Sequence, residues 1–176
     1  MPLKLNEQQV GQIAKWVAAY IAEHREAFRD TANPITADYK NMLQFFFRPD
    51  VLSAVRVVRG RASEPAFYSQ LRLFGIRNAP AFSEMAGITF QDVIVHVETL
   101  TRTLLFHELV HAVQYKHLGL GGFAERYVRG FLSGGSYEEI PLEKQAYELE
   151  ARFAKHPETA FSVEEDVLDR IRLNAL

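Results

Sequence analysis

The first third of the chain has apolar residues at helical spacing. Asn6 and Gln9 have the spacing of a capping box at the start of a helix. The apolar positions that follow are three or four residues apart, and they are Val10, Ile13, Ala14, Val17, Ile21 and Phe28. This pattern predicts an amphipathic helix that ends near Arg29. A second helix is predicted from about residue 36 to residue 48, where Pro49 stops it. Phe45–Phe47 are predicted to lie in the core.

The middle of the chain changes to short apolar runs separated by Gly, Pro, Ser or Asn, which is typical of strands. Three strands are predicted, at residues 52–59, 68–76 and 88–97. Helical spacing returns at residues 101–116, and the glycines from Gly119 to Gly122 are predicted to end that helix. Three more helices are predicted, at about 123–131, from Pro141 to about Lys155, and from Ser162 onward.

These elements predict a single α+β domain, which suits a chain of 176 residues. We expect a helical N-terminal part at residues 1–48 and a C-terminal helix within 156–176. Between them, residues 50–155 are expected to form a small sheet and the helices packed on it. The sheet is predicted to have three or more strands and to be mostly antiparallel.

Composition removes several classes of function. The chain has no cysteine, which excludes disulfides, cysteine zinc ligands and thiol nucleophiles. The net charge of −2 and the lack of a basic stripe argue against nucleic-acid binding. No apolar run is long enough to span a membrane, and the first residues have no signal-peptide pattern, so we expect a soluble cytoplasmic protein that does not bind membranes.

The predicted helix at 101–116 carries the chemistry. It contains His107-Glu108-Leu109-Val110-His111, an H-E-x-x-H motif. Residues four apart share a helix face, so both imidazoles point at one site, as a tetrahedral Zn²⁺ requires. Glu108 lies beside that site, where a general base would act on water activated by the metal. The apolar back of the helix consists of Leu105, Phe106, Leu109, Ala112 and Val113. The alternative, a buried helix with two hydrogen-bonded histidines, leaves more polar groups to be satisfied.

A helix with this motif resembles that of the zincins, a superfamily of zinc metallopeptidases. The resemblance covers about residues 85–155 and implies a zincin-like domain whose sheet packs on the motif helix. In zincins the strand before this helix borders the cleft and pairs with peptide substrate. Residues 88–96 occupy the corresponding position, and His96 is interpreted as a structural or rim residue.

Glu143 is the favoured third metal ligand. Pro141 suits the first position of a helix, which places Glu143 in the first helical turn. Glu143-x-x-Ala146 resembles the E-x-x-A motif of the gluzincin branch of the zincins. The chain departs from that branch at Tyr147, where many members have an aspartate that orients a metal-bound histidine. Glu150, one turn further along, is a candidate for that task.

Two other ligand sets stay open. His117 has the spacing of the third histidine of the metzincin branch, but Gln114 stands where that branch has the glycine that lets the chain leave the helix. Either Glu138 or Glu139 is the other alternative, although both precede Pro141 and so fall outside the predicted helix.

The resemblance implies hydrolysis of peptide bonds in a peptide or protein substrate. The implied zinc ligands are His107, His111 and Glu143, with water in the fourth position. Glu108 would take a proton from the water and pass it to the leaving amine. The candidate donors to the oxyanion are Tyr137, Tyr127 and Tyr147, and Tyr137 is taken as the catalytic one.

A non-catalytic or regulatory metal-binding protein on the same scaffold is the alternative function. The glycine-rich segment at 133–136 is interpreted as either a lid over the site or a plain connector.

Overall fold

The computed structural model describes residues 5–134 and 136–176. Its first helix, α1 (Glu7–Arg29), has the predicted bounds. Asn6 and Gln9 form both hydrogen bonds of the capping box, each at 2.9 Å. The residues that α1 buries are Val10, Ile13, Ala14, Val17, Tyr20 and Ile21. The capping and periodicity signals therefore located this helix correctly.

The predicted helix at 36–48 is shorter than expected. Helix α2 (Ala37–Leu43) is capped by Thr36 and gives way to a turn. A separate helix, α3 (Pro49–Ala54), then begins at Pro49, where the sequence predicted an end. Phe46 and Phe47 are buried as predicted, whereas Phe45 is 63% exposed.

The predicted strand at 52–59 is correct only in its second half. Val51, Leu52 and Val55 are buried, and their i, i+1, i+4 spacing belongs to a helix face. They form α3 and its C-terminal boundary. The strand itself, β2, is Arg56–Arg59. It pairs with the two-residue strand β1 (Asn33–Pro34).

The predicted strand at 68–76 is wrong, because Tyr68–Leu73 is a helix, α4. Tyr68, Leu71 and Phe74 are spaced by three residues and all pack against the same core cluster. That spacing gives one face of a helix, and Gly75 with φ of 81° follows the helix. A single turn of 3₁₀ helix at Phe82–Glu84 precedes the next strand.

The predicted strand at 88–97 is a hairpin of two strands, β3 (Gly87–Phe90) and β4 (Val93–His96). Phe90 pairs with Val93, so the loop contains only Gln91 and Asp92. Gln91 has φ of 60°, the positive value that such a tight turn requires. Gln91-Asp92 lacks the usual glycine of a two-residue loop, so this turn has no clear signal in the sequence.

The sheet is mixed, and the prediction of a mostly antiparallel sheet is wrong. Its strand order is β1-β2-β4-β3. The β1–β2 and β3–β4 pairs are antiparallel, but β2 and β4 are parallel. The reason is that residues 60–86 contain α4 and the 3₁₀ turn instead of a strand beside β2. A chain that crosses over in this way returns in a parallel direction.

The longest helical segment, α5 (Arg102–Gly134), contains the H-E-x-x-H motif and is kinked at Gly119. The prediction that residues 119–122 end the helix holds at Gly119, after which a second helical half begins at once. Helix α6 (Pro141–Lys155) has the predicted bounds. Helix α7 (Val163–Arg172) starts after Ser162, whose hydroxyl accepts from the Glu165 backbone.

The sheet lies between two layers of helix. In β4, Val93 and Val95 belong to the core cluster shared with α1, whereas Ile94 belongs to the cluster shared with the first half of α5. Helix α6 packs against the first half of α5, where Phe106 stacks on Phe153 with ring centroids 4.4 Å apart. Burial of two such rings contributes several kcal/mol, about 2–3 each, and fixes how α6 lies on α5.

Candidate metal centre

The site is built by two antiparallel helices. His107 contacts Glu150 near the end of α6, whereas Gln114 contacts Leu142 near its start. The first half of α5 and α6 therefore run in opposite directions, and the first turn of α6 brings Glu143 to the two motif histidines. His107, His111 and Glu143 are each at most 6% exposed.

The ligand-bearing atoms converge on one point. His107 Nε2 and His111 Nε2 are 3.2 Å apart. Glu143 Oε2 lies 3.2 Å from the Nε2 of His111 and 3.5 Å from that of His107. A tetrahedral zinc ion with bonds of 2.0–2.1 Å keeps its ligand atoms about 3.3 Å apart. Among the described residues, these three form the one group of His, Asp and Glu side chains spaced to hold a metal ion.

Hydrogen bonds set the tautomer of both histidines. His107 Nδ1 is 3.0 Å from Glu150 Oε2, which can only accept when ionised. His111 Nδ1 is 2.8 Å from Gln114 Oε1. The amide nitrogen of Gln114 donates to the Leu142 carbonyl and to Gln145 Oε1, both at 3.0 Å, so its oxygen faces His111. Each neutral imidazole therefore donates from Nδ1 and turns the lone pair of Nε2 towards the site.

The residues fit a cation. Two imidazole lone pairs and the buried Glu143 Oε2 face each other, and Glu143 Oε2 has no hydrogen-bond partner. Its contacts with the histidines lack hydrogen-bond geometry. Three facing acceptors repel one another in a buried site unless a positive charge lies between them. Two imidazole nitrogens and one carboxylate oxygen are a donor set of catalytic zinc sites, with one position left open.

The electrostatics agree with this fit. Burial opposes protonation of His107, but Glu143 and Glu150 outweigh it and raise its pKa to about 10. For His111, burial again opposes protonation, but the Glu143 carboxylate outweighs burial and raises the pKa. Burial also opposes ionisation of Glu143, yet the histidines hold its pKa well below the ordinary value. The site therefore takes up positive charge, which protons or a metal ion can supply.

Glu108 lies beside the three candidate ligands and is not one of them. Its Oε2 accepts a 2.6 Å hydrogen bond from the hydroxyl of Thr89 on the edge strand β3. Burial raises the pKa of Glu108, with opposing effects from the two histidines. A carboxylate with a raised pKa is closer to the range in which it can both take and return a proton.

A small cavity of about 40 Å³ adjoins the site. Glu108, His111 and Glu143 line one side, and aromatic residues of α1 and the second half of α5 line the other. This volume holds about two or three water molecules. The candidate ligands are buried, and the cavity leaves room for water beside Glu108.

The tyrosines predicted as oxyanion donors are in different positions. Tyr137 and Tyr127 line the cavity. Burial, and then the nearby Glu143 carboxylate, raise the pKa of both hydroxyls, so both stay protonated and can donate. The Tyr127 hydroxyl is buried without a hydrogen-bond partner. Tyr147 is 44% exposed and packs its ring on His107, with centroids 4.5 Å apart, outside the cavity lining.

The alternative ligands lie elsewhere. His117 Nε2 is 2.7 Å from Oε1 of Glu164, a residue of α7 outside the candidate metal centre. Glu138 and Glu139 are exposed and outside the metal-spaced group. His96 contacts the Glu98 carbonyl through Nδ1 at 2.7 Å, as expected of a structural residue.

The roles of Thr89 and Gln114 beside the site are not predicted from the sequence. Gln114 lies three residues after His111 on the same helix face, a spacing that brings side chains together and is the signal for their contact. Thr89 and Glu108 are 19 residues apart in sequence, and only the packing of β3 against α5 brings them together.

Comparison with known proteins identifies no relative. No family model, no curated protein and no solved structure matches the chain significantly. The functional assignment therefore rests on the chemistry of the site. Within the described residues, no helix is both long and apolar enough to cross a membrane. The segment at 133–136, interpreted as either a lid or a plain connector, includes Gly135, which lies outside the described residues.

Proposed function

We propose that the protein is a zinc-dependent peptidase of the zincin type, with the gluzincin ligand set. The observation that carries the proposal is the convergence of His107 Nε2, His111 Nε2 and Glu143 Oε2 within 3.2–3.5 Å, with a carboxylate beside them. In this proposal those three residues hold the ion and Glu108 is the general base.

When bound, the zinc ion supplies Lewis acidity, which activates water and polarises a carbonyl group. The residues of the chain orient the ligands, transfer the proton and stabilise the developing negative charge. Glu150 and Gln114 hold the two imidazole rings with Nε2 towards the ion. Glu108 takes the proton from the attacking water and returns it to the leaving amine. Tyr137 donates its hydroxyl proton in a hydrogen bond to the oxygen that becomes negatively charged.

Zinc content tests the ligand set. We expect elemental analysis to find one zinc per wild-type chain, almost none in Glu143→Ala, and a full complement in the control His117→Ala. Loss of zinc in His117→Ala, with retention in Glu143→Ala, would favour the metzincin arrangement. A wild-type protein that binds no zinc after zinc is supplied would overturn the proposal.

Glu108→Gln separates the enzyme from its rival, a non-catalytic or regulatory metal-binding protein. Glutamine has the same shape but cannot take a proton, so we expect unchanged zinc content and hydrolysis of a fluorogenic peptide library reduced by at least about 100-fold. Hydrolysis at the wild-type rate would remove the mechanism. Zinc binding without hydrolysis of any peptide by the wild type would favour the rival.

A further inference from the structure

A continuous chain of hydrogen bonds links His111 to the last helix. From Gln114, which faces His111 Nδ1, the amide nitrogen donates to Gln145 Oε1 at 3.0 Å. The amide nitrogen of Gln145 donates in turn to Asp166 Oδ1 at 2.7 Å. Gln114 and Gln145 are 0% exposed, and Asp166 lies at the surface of α7 with its side chain 32% exposed. These hydrogen bonds thus link α5, α6 and α7.

Each link in this chain can point only one way. An ionised Asp166 can only accept, so Gln145 must present its nitrogen to Asp166 and its oxygen to Gln114. Gln114 must then present its nitrogen to Gln145 and its oxygen to His111. His111 must donate from Nδ1, which leaves the Nε2 lone pair facing Glu143. The surface carboxylate and the Leu142 carbonyl, which can also only accept from Gln114, therefore act together to set the tautomer of a buried imidazole.

Stability does not explain the two glutamines well. Each buries a primary amide that has to be fully hydrogen-bonded, and apolar side chains of similar volume would give a core of equal or greater stability. An amide has a donor nitrogen and an acceptor oxygen, so unlike an apolar group it can orient its hydrogen-bond partners. Hydrogen-bond partners that orient a metal-bound histidine commonly change metal affinity by about 10- to 100-fold when they are removed.

We infer that Gln114, Gln145 and Asp166 are positioning residues for His111, which makes the C-terminal helix α7 part of the metal centre. The inference rests on the proposed zinc site. Gln114 is also held by the Leu142 carbonyl at 3.0 Å, so its orientation has a second support when Asp166 is removed. Asp166 therefore has a smaller effect on zinc affinity than Gln114.

The test compares two aspartates of the same helix. Asp166 pairs with Arg170 and Asp169 pairs with Arg172, so removing either one breaks an ion pair within α7. Asp166 is the one that accepts a hydrogen bond from Gln145. The dissociation constant for Zn²⁺ is measured by competition with a chromophoric chelator for wild type, Asp166→Ala, Asp166→Asn, Gln114→Leu and the control Asp169→Ala.

We expect Asp166→Ala to weaken zinc binding about 3- to 10-fold and Gln114→Leu about 10- to 100-fold. Asp169→Ala should bind like wild type, and Asp166→Asn should stay within about twofold, because the asparagine oxygen can still accept from Gln145. In the zinc-loaded proteins, ¹⁵N shifts of the His111 ring should show the Nδ1–H tautomer in wild type and a changed Nδ1 environment in Gln114→Leu.

Two failures are distinguishable. If wild type binds zinc and Asp166→Ala binds it as tightly, with unchanged His111 ring shifts, the inference is wrong and the zinc centre stands. If wild type binds no zinc, the proposed function itself is wrong. Should Gln114→Leu fail to fold, the comparison of Asp166→Ala with Asp169→Ala still decides, since each substitution breaks one ion pair within α7 and only Asp166 contacts Gln145.

Discussion

At the scale of single residues, the position of Glu108 depends on the absence of a side chain. A Cβ at Gly87 would lie 2.7 Å from Glu108 Oε1 and 3.0 Å from a methyl carbon of Leu104. Both distances are shorter than ordinary contacts. Gly87 begins β3, so the strand that approaches the motif helix most closely does so at a residue without a Cβ. The close approach of Gly87 and the hydrogen bond from the Thr89 hydroxyl together hold the Glu108 carboxylate beside the candidate metal ligands.

Gly87→Ala is therefore expected to move Glu108 while leaving the metal ligands in place. If the protein is the proposed peptidase, turnover should fall by about 10-fold or more, since small displacements of a catalytic group are costly. Zinc content should not change. Measuring both on the same preparation separates the two effects, and wild-type turnover in Gly87→Ala would show that Glu108 does not need its present position.

Tyr137 and Tyr127 both line the cavity, so either could be the oxyanion donor of the proposed peptidase. Removal of one oxyanion donor in an enzyme typically costs about 100- to 1000-fold in turnover. We expect Tyr137→Phe to reduce kcat towards this range and to retain zinc, with a weaker effect of Tyr127→Phe. The opposite order in kcat would assign the role to Tyr127, whose hydroxyl is buried and has no partner.

At the scale of elements, the kink in α5 separates the candidate metal ligands His107 and His111 from the aromatic residues Phe123 and Tyr127 that line the cavity. Gly119 has φ of 68° and ψ of 169°, a region that glycine alone adopts readily. Nothing lies within 4 Å of a Cβ built there, so crowding plays no part in its conformation. The backbone at this one residue directs the second half of α5 towards α1.

Gly119→Ala is expected to destabilise the protein by about 1–3 kcal/mol through backbone strain alone. Gly121→Ala is the matched control, because Gly121 lies within the helix and a Cβ there also has open space. That substitution should be neutral or stabilising by up to about 1 kcal/mol. Denaturant unfolding of the two variants would contradict the explanation if they changed the free energy of unfolding equally.

At the scale of the whole molecule, one carboxylate joins three distant parts of the chain. Glu164 in α7 contacts Lys116 and His117 of α5 at 2.7 Å, and Arg48, which precedes α3, at 3.0 Å. The Glu164 side chain is 8% exposed. Burial opposes its ionisation, but the hydrogen bonds from Lys116 and His117 outweigh burial and lower its pKa below the ordinary 4.5.

This lowered pKa has a definite effect on stability. Because Glu164 is more acidic in the folded chain, it stabilises the fold above pH 4.5, and the contribution is lost as pH falls through the folded pKa. Glu164→Gln should lower the free energy of unfolding by about 1–3 kcal/mol near neutral pH. The difference in the free energy of unfolding between Glu164→Gln and wild type should shrink as the pH falls below 4.5.

Glu165→Gln is the control for this experiment. Glu165 lies in the same first turn of α7 but is exposed, so its removal alters the charge at the helix start without breaking the cluster. Its effect on unfolding should be a few tenths of a kcal/mol. A pH-independent difference between Glu164→Gln and wild type would show that the ionised form of Glu164 is not what stabilises the fold.

Local signals in the sequence determined the long helices and the candidate ligands. Asn6 and Pro141 act through hydrogen bonds and backbone limits within one helical turn, so their effects could be predicted without the rest of the chain. The pairing of His107 with His111 is likewise a property of one helix. The prediction of Glu143 rests on its place in the first turn of α6 and on the resemblance of Glu143-x-x-Ala146 to the gluzincin motif, and the structure brings Glu143 to both histidines.

Tertiary structure decided the rest. Residues 68–76 have spacing that a strand or a short helix can use, and packing against α1 and α5 selected the helix. The parallel pairing of β2 with β4, the contact of Thr89 with Glu108, and the chain from His111 to Asp166 all join residues far apart in sequence. Such contacts depend on how complete elements pack together, which no local pattern of residues encodes.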